Sequence, residues 1–359
     1  MVTSMRLEDS KSWMTPARIA KCCGGRVVRS GAPATRVVTN SGEVGAGAVF
    51  VALPGAVRDG HEFVADALGR GAAGVIVSKP IGRTDIPEGC FAVRVPDTLV
   101  ALQALAAEHR RRHQVSVVGI TGSCGKTSTK DMLGAVLARV MPATWSPKSY
   151  NNHVGVPLSL LQIDASTQAA VVEIGTSAPG EIRALADLAE PDIGIVTCVA
   201  EAHLSGLGSI DGVAKEKASL LAGLRPGGVA ILNGDDRKCR AMASECERRT
   251  VIVSAAGEAD WFATDVRFHG IGTSFRLQGE RPVTLPRLGT HNVYNALMVI
   301  AAATELGVEL DDVLAGLTES VPSSRRMECH TCGDVTVFDD TYNMNPDSSR
   351  AALSALAGL

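Results

Sequence analysis

The sequence predicts an α/β protein built around a doubly wound, mostly parallel sheet. Short β-branched runs alternate with helix-like segments along the chain, a pattern typical of parallel sheets covered by helices. One run, residues 115–120, leads into a glycine-rich turn and then a helix-like stretch through Arg139. This order of strand, loop and helix is typical of a P-loop that binds phosphate. A length of 359 residues indicates two or three domains.

The first block, residues 1–113, predicts a small N-terminal α/β domain. Strand-like runs lie at residues 48–53, 74–77 and 91–95, and helix-like segments lie at residues 61–70 and 99–112. Turn signals separate them, so each run is short enough for one strand of a compact sheet.

The second block, residues 114–326, predicts the central P-loop domain. Further strands are expected at residues 169–174, 193–199, 229–232 and 250–253, with helical stretches between the first three. This spacing indicates a doubly wound sheet, and residues 262–285 resemble antiparallel ribbons.

The third block, residues 327–359, is interpreted as the incomplete start of a Rossmann-like C-terminal domain. It contains one expected strand, residues 334–340, and a helix beginning near Ser348. One strand and one helix cannot bury a core, so we expect this domain to continue past residue 359 or to pack on the central domain.

The loop itself reads GITGSCGKT at residues 119–127. Gly122 and Gly125 allow backbone N–H groups to converge on an anion, Lys126 supplies charge, and the Thr127 hydroxyl suits Mg²⁺. The general motif requires glycine at position 120, where this chain has isoleucine, so the loop is a variant form. The pattern predicts ATP or GTP binding; a glycine-rich turn beside an exposed lysine is the alternative. Cys124 lies inside the loop, where it could be alkylated.

Ionisable side chains follow the central strands. Glu173 ends the second of them and is placed to hold Mg²⁺, with an ordinary exposed glutamate as the alternative. His203 is a candidate metal or phosphate ligand, although a lone loop histidine is more often structural. Lys215 and Lys217 lie on a helix-like stretch, where most lysines are solvated.

Three polar clusters are further candidates for ligand contact. Residues 150–153 contain two consecutive asparagines before a Gly and a Pro, which indicates a polar loop. Asn292 and Asn295 are three apart and share a helix face, where they could contact a base or cap the helix. Residues 339–343 end a strand in carboxylates, a tyrosine and an amide; an ordinary turn is the alternative for the first and third clusters.

Composition excludes several classes of function. A net charge of −3 gives no reason to expect nucleic acid as a partner, and no apolar run is long enough to span a bilayer. The nine cysteines are scattered, and Cys329 and Cys332 form a C-x-x-C pair without a second ligand pair. We therefore expect a cytoplasmic protein with no membrane span.

Taken together, several segments resemble the Mur ligase family of ATP-dependent amide-forming enzymes. They occur in the family's order across about residues 119–350, namely GITGSCGKTSTKDML, YNNHVGVPLSLL, VVEIGTSAPGEI, AEAHLSGLGSIDGVAKEK, LGTHNVYNALMVIAA, RRME and DDTYNMNPDS. The stretch GEVGAGAVFVALPGAVRDGHEFVADALGRGAAGVIV is similar to a uridine-nucleotide domain of that family.

The resemblance implies a role for each matched residue, with ATP and Mg²⁺ as cofactors. It assigns catalysis to Lys126, His203 and Lys217. It assigns nucleotide binding to Gly122, Ser123, Gly125, Lys126, Thr127, Asn292, Asn295, Arg326, Asp340, Tyr342 and Asn343. It assigns Mg²⁺ to Thr127, Glu173, His203 and a carbamylated Lys217, with Lys215 as the alternative if the register differs by two. It assigns substrate contact to Ser41, Asn152 and Thr176.

The resemblance also implies the substrates. DDTYNMNPDS and VAKEK favour the family member that adds D-alanyl-D-alanine to UDP-muramoyl tripeptide through an acyl phosphate, and we expect it to act as a monomer. The alternatives are another Mur ligase, a folylpolyglutamate synthase, and a nucleotide-binding fragment without turnover. This chain has Asn40-Ser41-Gly42 where the family usually has Asp-Ser-Arg, and Thr176-Ser177-Ala178 where an amide-rich stretch is common.

Overall fold

The computed structural model of this protein describes residues 13–359. The chain forms two compact units. The first contains the chain up to Arg112 together with Leu160–Gln162, and the second contains His113–Ser159 and Ile163–Leu359.

The first unit is a five-stranded sheet with helices. Its elements are α1 (Pro16–Cys22), β1 (Arg26–Arg29), β2 (Arg36–Val38), β3 (Ala48–Val51), α2 (Val64–Gly69), β4 (Gly74–Val77), β5 (Phe91–Arg94) and α3 (Thr98–Arg111). The strand order is β1-β5-β4-β3-β2, with β1 antiparallel to β5 and the other pairs parallel. Every residue of β3 and β4 is buried, as expected for parallel strands covered on both faces. The three predicted strands of this unit are confirmed.

The second unit is built on a nine-stranded sheet. Its strands are β6 (Ser116–Thr121), β7 (Ala143–Trp145), β8 (Ala169–Glu173), β9 (Ile193–Val196), β10 (Val229–Asn233), β11 (Arg249–Ser254), β12 (Trp261–His269), β13 (Gly272–Leu277) and β14 (Arg281–Leu285). The order is β14-β13-β12-β11-β10-β9-β6-β8-β7. The pairs from β7 to β12 are parallel, and β12, β13 and β14 pair antiparallel, which confirms the predicted parallel sheet and ribbon.

Helices cover both faces of this sheet. They are α4 (Lys126–Ala138), α5 (Gly155–Leu160), α6 (Glu181–Ala189), α7 (Leu204–Leu207), α8 (Ile210–Ala222), α9 (Arg237–Glu245), α10 (Thr290–Glu305) and α11 (Leu310–Glu319). One core cluster joins the sheet to α4, α10 and α11, and includes Ile120, Leu133 and Val299. A second cluster joins the opposite face to α8 and α9, and includes Val213 and Leu232.

The strand order creates a switch point beside β6. The chain leaves β6 for the edge strand β7, returns to β8 on one side of β6, and then crosses to β9 on the other side. Ligands of open α/β sheets bind outside the carboxyl ends of strands at such a point. Those ends are Thr121, Glu173 and Val196.

The C-terminal segment packs on the second unit. It consists of β15 (Glu328–Cys332), β16 (Val335–Asp339) and α12 (Pro346–Ala357), and the two strands pair antiparallel. Leu288, Met327 and Ala355 form its buried cluster, with Phe268 and Phe338 at the edge. The segment therefore packs within the second unit, and it has one more strand than was predicted.

No helix in the described part of the chain combines the length and the apolar character that crossing a bilayer requires.

Asp236 ties α9 to the end of β9, so its removal tests this part of the fold. Its carboxylate accepts hydrogen bonds from the backbone N–H groups of Lys238 (2.8 Å), Cys239 (3.1 Å) and Val199 (2.7 Å). We expect Asp236→Ala to lower the free energy of unfolding in urea by about 1–2 kcal/mol. The matched control is Asp211→Ala, because Asp211 also contacts α9, but through an exposed ion pair with Lys238; its effect should stay below about 0.5 kcal/mol. Equal effects of the two substitutions would contradict the capping role.

Candidate active site

Two glycines shape the loop between β6 and α4. Gly122 has φ 151° and Gly125 has φ 83°, conformations that other residues rarely adopt. A Cβ on Gly122 would lie 1.8 Å from Thr197 Oγ1, and one on Gly125 would lie 2.5 Å from Asn295 Oδ1. Both positions require glycine because the loop packs directly against the end of β9 and against α10.

Lys126 lies over this loop. Its ammonium donates a 2.7 Å hydrogen bond to the Gly122 carbonyl. The Ser123 hydroxyl donates to the Ala200 carbonyl (3.1 Å) and accepts from the Ala200 N–H (2.9 Å). Gly125 has no side chain that could cap α4, so the helix presents its first N–H groups and a cation at the same place, which suits an anion.

Glu173 is buried at the end of β8, with 1% of its surface exposed. One carboxylate oxygen accepts from the Thr127 hydroxyl (2.8 Å), and the other accepts from the Asn151 amide (2.8 Å). The Thr127 hydroxyl also accepts from the Arg326 guanidinium (2.9 Å). Glu173 is thus not an ordinary exposed glutamate. It joins the loop helix to the polar loop, and Arg326 contacts the same Thr127 hydroxyl.

The two candidate lysines of α8 have opposite environments. Lys217 is 2% exposed, and among residues 13–359 no hydrogen bond or ion pair holds its ammonium. Burial, and then the positive charge of Lys126, lower the pKa of Lys217 to about 7. A substantial fraction of the Lys217 amine is therefore neutral near physiological pH. Lys215 is exposed.

His203 lies on the loop that precedes α7. Its backbone has φ 56°, a left-handed conformation uncommon outside glycine. Burial, and then the charges of Lys126 and Lys217, lower the pKa of His203. The imidazole therefore belongs to the same cationic region as the loop lysine and the buried lysine of α8.

The segment between β8 and α6 is held by buried carboxylates. Glu216 is 5% exposed and accepts from the Gly180 N–H (2.7 Å) and the Ile182 N–H (2.8 Å), at the start of α6. The Thr176 hydroxyl donates to the Ala178 carbonyl (2.8 Å). This turn fixes the position of Thr176 beside the loop.

Asn292 and Asn295 lie in the first turns of α10, and both are buried. The Asn292 amide donates to the Leu288 carbonyl (2.9 Å), and the Asn295 amide donates to Asn292 Oδ1 (3.3 Å). The first contact provides a donor for the Leu288 carbonyl, which lies in the chain that leads into α10. The two amides therefore stabilise the start of α10, where Asn295 lies close to Gly125 of the glycine loop.

Arg326 and two residues of the C-terminal segment, Asp340 and Tyr342, lie in the same region. The Arg326 guanidinium stacks 4.3 Å from the centroid of the Tyr342 ring, a cation–π contact. The Tyr342 hydroxyl hydrogen-bonds Ser149 Oγ (2.6 Å). Asp340 accepts from the Met327 N–H (3.2 Å), and burial raises the pKa of Asp340.

The second unit contains a cavity of about 660 Å³ at the carboxyl end of its sheet. The predicted residues that line it are Ser123, Gly125, Lys126, Thr127, Asn152, Glu173, Thr176, His203, Asn292, Asn295, Arg326, Asp340, Tyr342 and Asn343. Gly122 and Lys217 are not part of the lining. The sheet, α10 and the C-terminal segment thus bring most of the predicted site residues to one cavity.

Two residues expected to contact substrate have local structural partners. Asn152 Oδ1 accepts from the N–H groups of Val154 (3.1 Å) and Gly155 (2.9 Å), at the start of α5. Ser41 belongs to the first unit, where it begins a short 3-10 turn capped by Asn40.

Several residues that line this cavity were not assigned to the site from the sequence. Asn151, rather than its neighbour Asn152, contacts Glu173. Tyr294 lines the cavity and donates a 2.9 Å hydrogen bond to Asp235, and Cys124 and Cys198 also line it. The paired asparagines were a visible signal, but nothing in the sequence decides which of two adjacent side chains points toward β8.

Two family descriptions match this chain. The Mur ligase middle domain matches residues 120–303, and the catalytic domain of the Mur ligase family matches residues 34–120. The UDP-N-acetylmuramoyl-tripeptide–D-alanyl-D-alanine ligase of Mycobacterium tuberculosis strain H37Rv is 38% identical over 374 residues, which cover 96% of this chain and 73% of the relative. This chain belongs to the Mur ligase family. As a Mur ligase it is an enzyme, and the predicted family and fold class are confirmed.

Other proteins are also similar to this chain in sequence or in fold. The equivalently named Bacillus subtilis ligase is 36% identical over 313 residues, covering 87% of this chain and 67% of the relative. A MurF structure from Acinetobacter baumannii superimposes with a TM-score of 0.88 at 32% identity, covering 96% of this chain and 76% of that one. The Thermotoga maritima MurF ligase in complex with ADP gives a TM-score of 0.81 at 27% identity, covering 90% and 74%. A Mycobacterium tuberculosis folylpolyglutamate synthase, at 20% identity, shares the fold alone.

The lowered pKa of Lys217 predicts a pH-dependent contribution to stability. The native amine loses its proton near pH 7, whereas the unfolded amine loses it near the ordinary value of 10.5. Between these values the unfolded state binds more protons, so the free energy of unfolding rises with pH. We compare the free energy of unfolding of the unmodified chain with that of Lys217→Met. We expect the unmodified chain's value minus the variant's to rise from pH 7 to pH 10, by at most about 1.4 kcal/mol per pH unit.

Urea unfolding at a series of pH values measures this difference, in which other titrating groups cancel. Lys215→Met is the matched control because Lys215 lies two residues away on the exposed side of α8. A difference that stays flat for Lys217→Met, or rises equally for Lys215→Met, would contradict the assignment.

Proposed function

We propose that this Mur ligase joins D-alanyl-D-alanine to UDP-N-acetylmuramoyl tripeptide and converts ATP to ADP and phosphate. The observation that carries the proposal is the contact of the Thr127 hydroxyl with both Glu173 and Arg326 at the end of the glycine loop. The names of the relatives, which are 36–38% identical to this chain, supply the proposed substrates.

The chemistry proceeds in two transfers. The terminal carboxylate of the tripeptide attacks the γ-phosphorus of ATP, and ADP leaves with the bridging oxygen. The amine of D-alanyl-D-alanine then attacks the acyl carbon, loses a proton and displaces phosphate. A carboxylate oxygen is a poor leaving group, and phosphorylation turns it into a good one.

The loop residues supply the charge that this transfer needs. Phosphoryl transfer depends mainly on positioning and on neutralising charge. Lys126 and the first turn of α4 present positive charge and N–H donors at the loop, and Arg326 donates to the Thr127 hydroxyl. Gly122, Ser123 and Gly125 let the backbone approach the phosphates, and we assign the nucleotide base to Asn292 and Asn295.

The remaining nucleotide and substrate contacts complete the assignment. We assign Asp340, Tyr342 and Asn343 to the nucleotide, because they line the same cavity as the loop. We assign Asn152 and Thr176 to the muramoyl substrate for the same reason. Ser41, and with it residues 1–113, are assigned to the UDP-linked substrate; residues 114–326 bind ATP, and residues 327–359 begin the C-terminal ligase domain.

The donor set around Thr127 fits Mg²⁺. Thr127 and Glu173 present oxygen atoms 2.8 Å apart in a buried position, and Mg²⁺ prefers oxygen ligands. When bound there, the ion would offset the negative charge of the phosphates. With a pKa of about 7, about half of the Lys217 amines are neutral at pH 7. The neutral amine can add carbon dioxide and lose a proton, and the carbamate together with His203 would hold a second ion.

Steady-state assay of ADP release tests the proposal. We expect steady release to require UDP-muramoyl tripeptide and D-alanyl-D-alanine together, because the second transfer consumes the acyl phosphate and allows another turnover. Equal release with a single amino acid would point to another Mur ligase, and stimulation by folate would point to a folylpolyglutamate synthase. ATP binding with no release under any condition would leave only a nucleotide-binding role. Because the reaction consumes ATP, we place it in the cytoplasm. We also expect the protein to act as a monomer.

Lys126→Ala tests the phosphate contact directly. We expect the affinity for ATP, measured by calorimetry with Mg²⁺, to fall by about tenfold or more, because a hydrogen bond to a charged group contributes about 1.5–3 kcal/mol. ADP release should fall at least in parallel. Lys215→Ala is the control, since it removes an exposed lysine of the same unit. Near-normal affinity and turnover in Lys126→Ala would overturn the assignment.

A further inference from the structure

Two cysteines meet at the phosphate loop, and the proposed reaction uses neither thiol. Cys124 lies within the loop, and Cys198 follows the end of β9. The backbone N–H of Cys124 donates to Cys198 Sγ (3.4 Å), and the Cys198 thiol donates to the Cys124 carbonyl (3.7 Å). The Cys198 sulfur therefore lies against the backbone of Cys124.

Both thiols are open to a small solute. Cys124 and Cys198 are each partly exposed, and both line the cavity. Cys239, which lies on α9, is buried, and burial raises the pKa of its thiol. A reagent that enters the cavity thus meets the first two cysteines and not the third.

The two thiols are not equivalent. The hydrogen bond from Cys198, together with the Asn345 amide (3.3 Å) and the charge of Lys126, lowers the pKa of Cys124 against the effect of burial. The same hydrogen bond and burial raise the pKa of Cys198. Cys124 therefore supplies the thiolate, which is the form that reacts with oxidants. Cys198 supplies a second thiol, whose sulfur contacts the backbone of the same residue.

We propose that Cys124 and Cys198 form a peroxide-sensitive pair whose disulfide prevents nucleotide from binding, an inference that rests on the proposed nucleotide-binding role of the loop. The Cys124 thiolate attacks one oxygen of hydrogen peroxide, the O–O bond breaks, and a sulfenic acid and hydroxide form. The Cys198 sulfur then loses its proton and attacks the Cys124 sulfur, and the S–O bond breaks with release of water. Two thiols are oxidised and one peroxide is reduced to two waters.

The disulfide blocks binding by fixing the loop. It ties the loop to the end of β9 with the Cys124 N–H turned toward the Cys198 sulfur, as in the hydrogen bond described above. A loop that binds phosphate must direct its N–H groups to the anion instead. Because Gly122 and Gly125 already approach their neighbours closely, the loop has little freedom to compensate. Bound nucleotide should in turn protect the two thiols.

Peroxide treatment of the full chain tests this pair. After quenching and digestion without reductant, mass spectrometry should find a Cys124–Cys198 linked peptide, and ATP with Mg²⁺ should slow its formation. Calorimetry should show ATP affinity reduced by about tenfold or more in the oxidised protein and restored by dithiothreitol. Cys198→Ala should keep its ATP affinity after peroxide treatment followed by arsenite, which reduces a sulfenic acid but not a disulfide, whereas the unmodified chain should still bind ATP weakly after the same treatment. The control Cys246→Ser removes a partly exposed cysteine that does not line the cavity, and it should behave like the unmodified chain.

Each outcome decides the proposal. Linkage of Cys124 to another cysteine, oxidation without any linked peptide, or a disulfide that leaves ATP affinity unchanged would each overturn it. If the reduced protein binds no ATP, the proposed function fails, whereas the linked peptide still decides whether the two thiols form an oxidation site.

Discussion

The packing of the glycine loop against the end of β9 and the start of α10 is the constraint on which the site depends. Gly122 and Gly125 approach Thr197 and Asn295 so closely that no Cβ fits. The loop is continuous with α4, whose inner face belongs to the main core cluster. Since close-packed cores transmit even small displacements, the position of the loop is fixed by the hydrophobic core and not by local hydrogen bonds alone.

Two buried lysines of the second unit differ in whether acceptors surround the ammonium group. Lys130 is 1% exposed, and its ammonium contacts the carbonyls of Ser146 (2.8 Å) and Lys148 (2.6 Å) and the Asp131 carboxylate (2.9 Å). Lys217 is equally buried, but in the described part of the chain no acceptor compensates it. The first lysine stabilises the loop that carries Ser149, whereas the second has a lowered pKa. Perturbed groups of the second kind concentrate at functional sites.

The strands that could be predicted from the sequence are those whose apolar composition indicates burial. β-branched runs predicted β6, β8, β9 and β10, because parallel strands covered on both faces must be apolar throughout. Several of the misses are polar or short: β15 reads ECHTC, α9 reads RKCRAMASE, and β7 has three residues. The amphipathic α11, which reads LDDVLAGLTE, was also not predicted. Site residues were found where a strand end or glycine loop marked them. Side-chain direction was not readable, since the choices between Asn151 and Asn152 and between Lys215 and Lys217 are decided only by packing.

The C-terminal segment is held mainly through the site itself. Its apolar contact is a small cluster around Met327 and Ala355, while Val335, Val337 and Leu353 are between 47% and 66% exposed. So little buried area contributes little to stability. The segment is positioned instead by contacts at the cavity, where Arg326 joins Tyr342 and Thr127. A ligand that engages these groups must therefore also stabilise the segment, because binding that favours one arrangement shifts the population toward it.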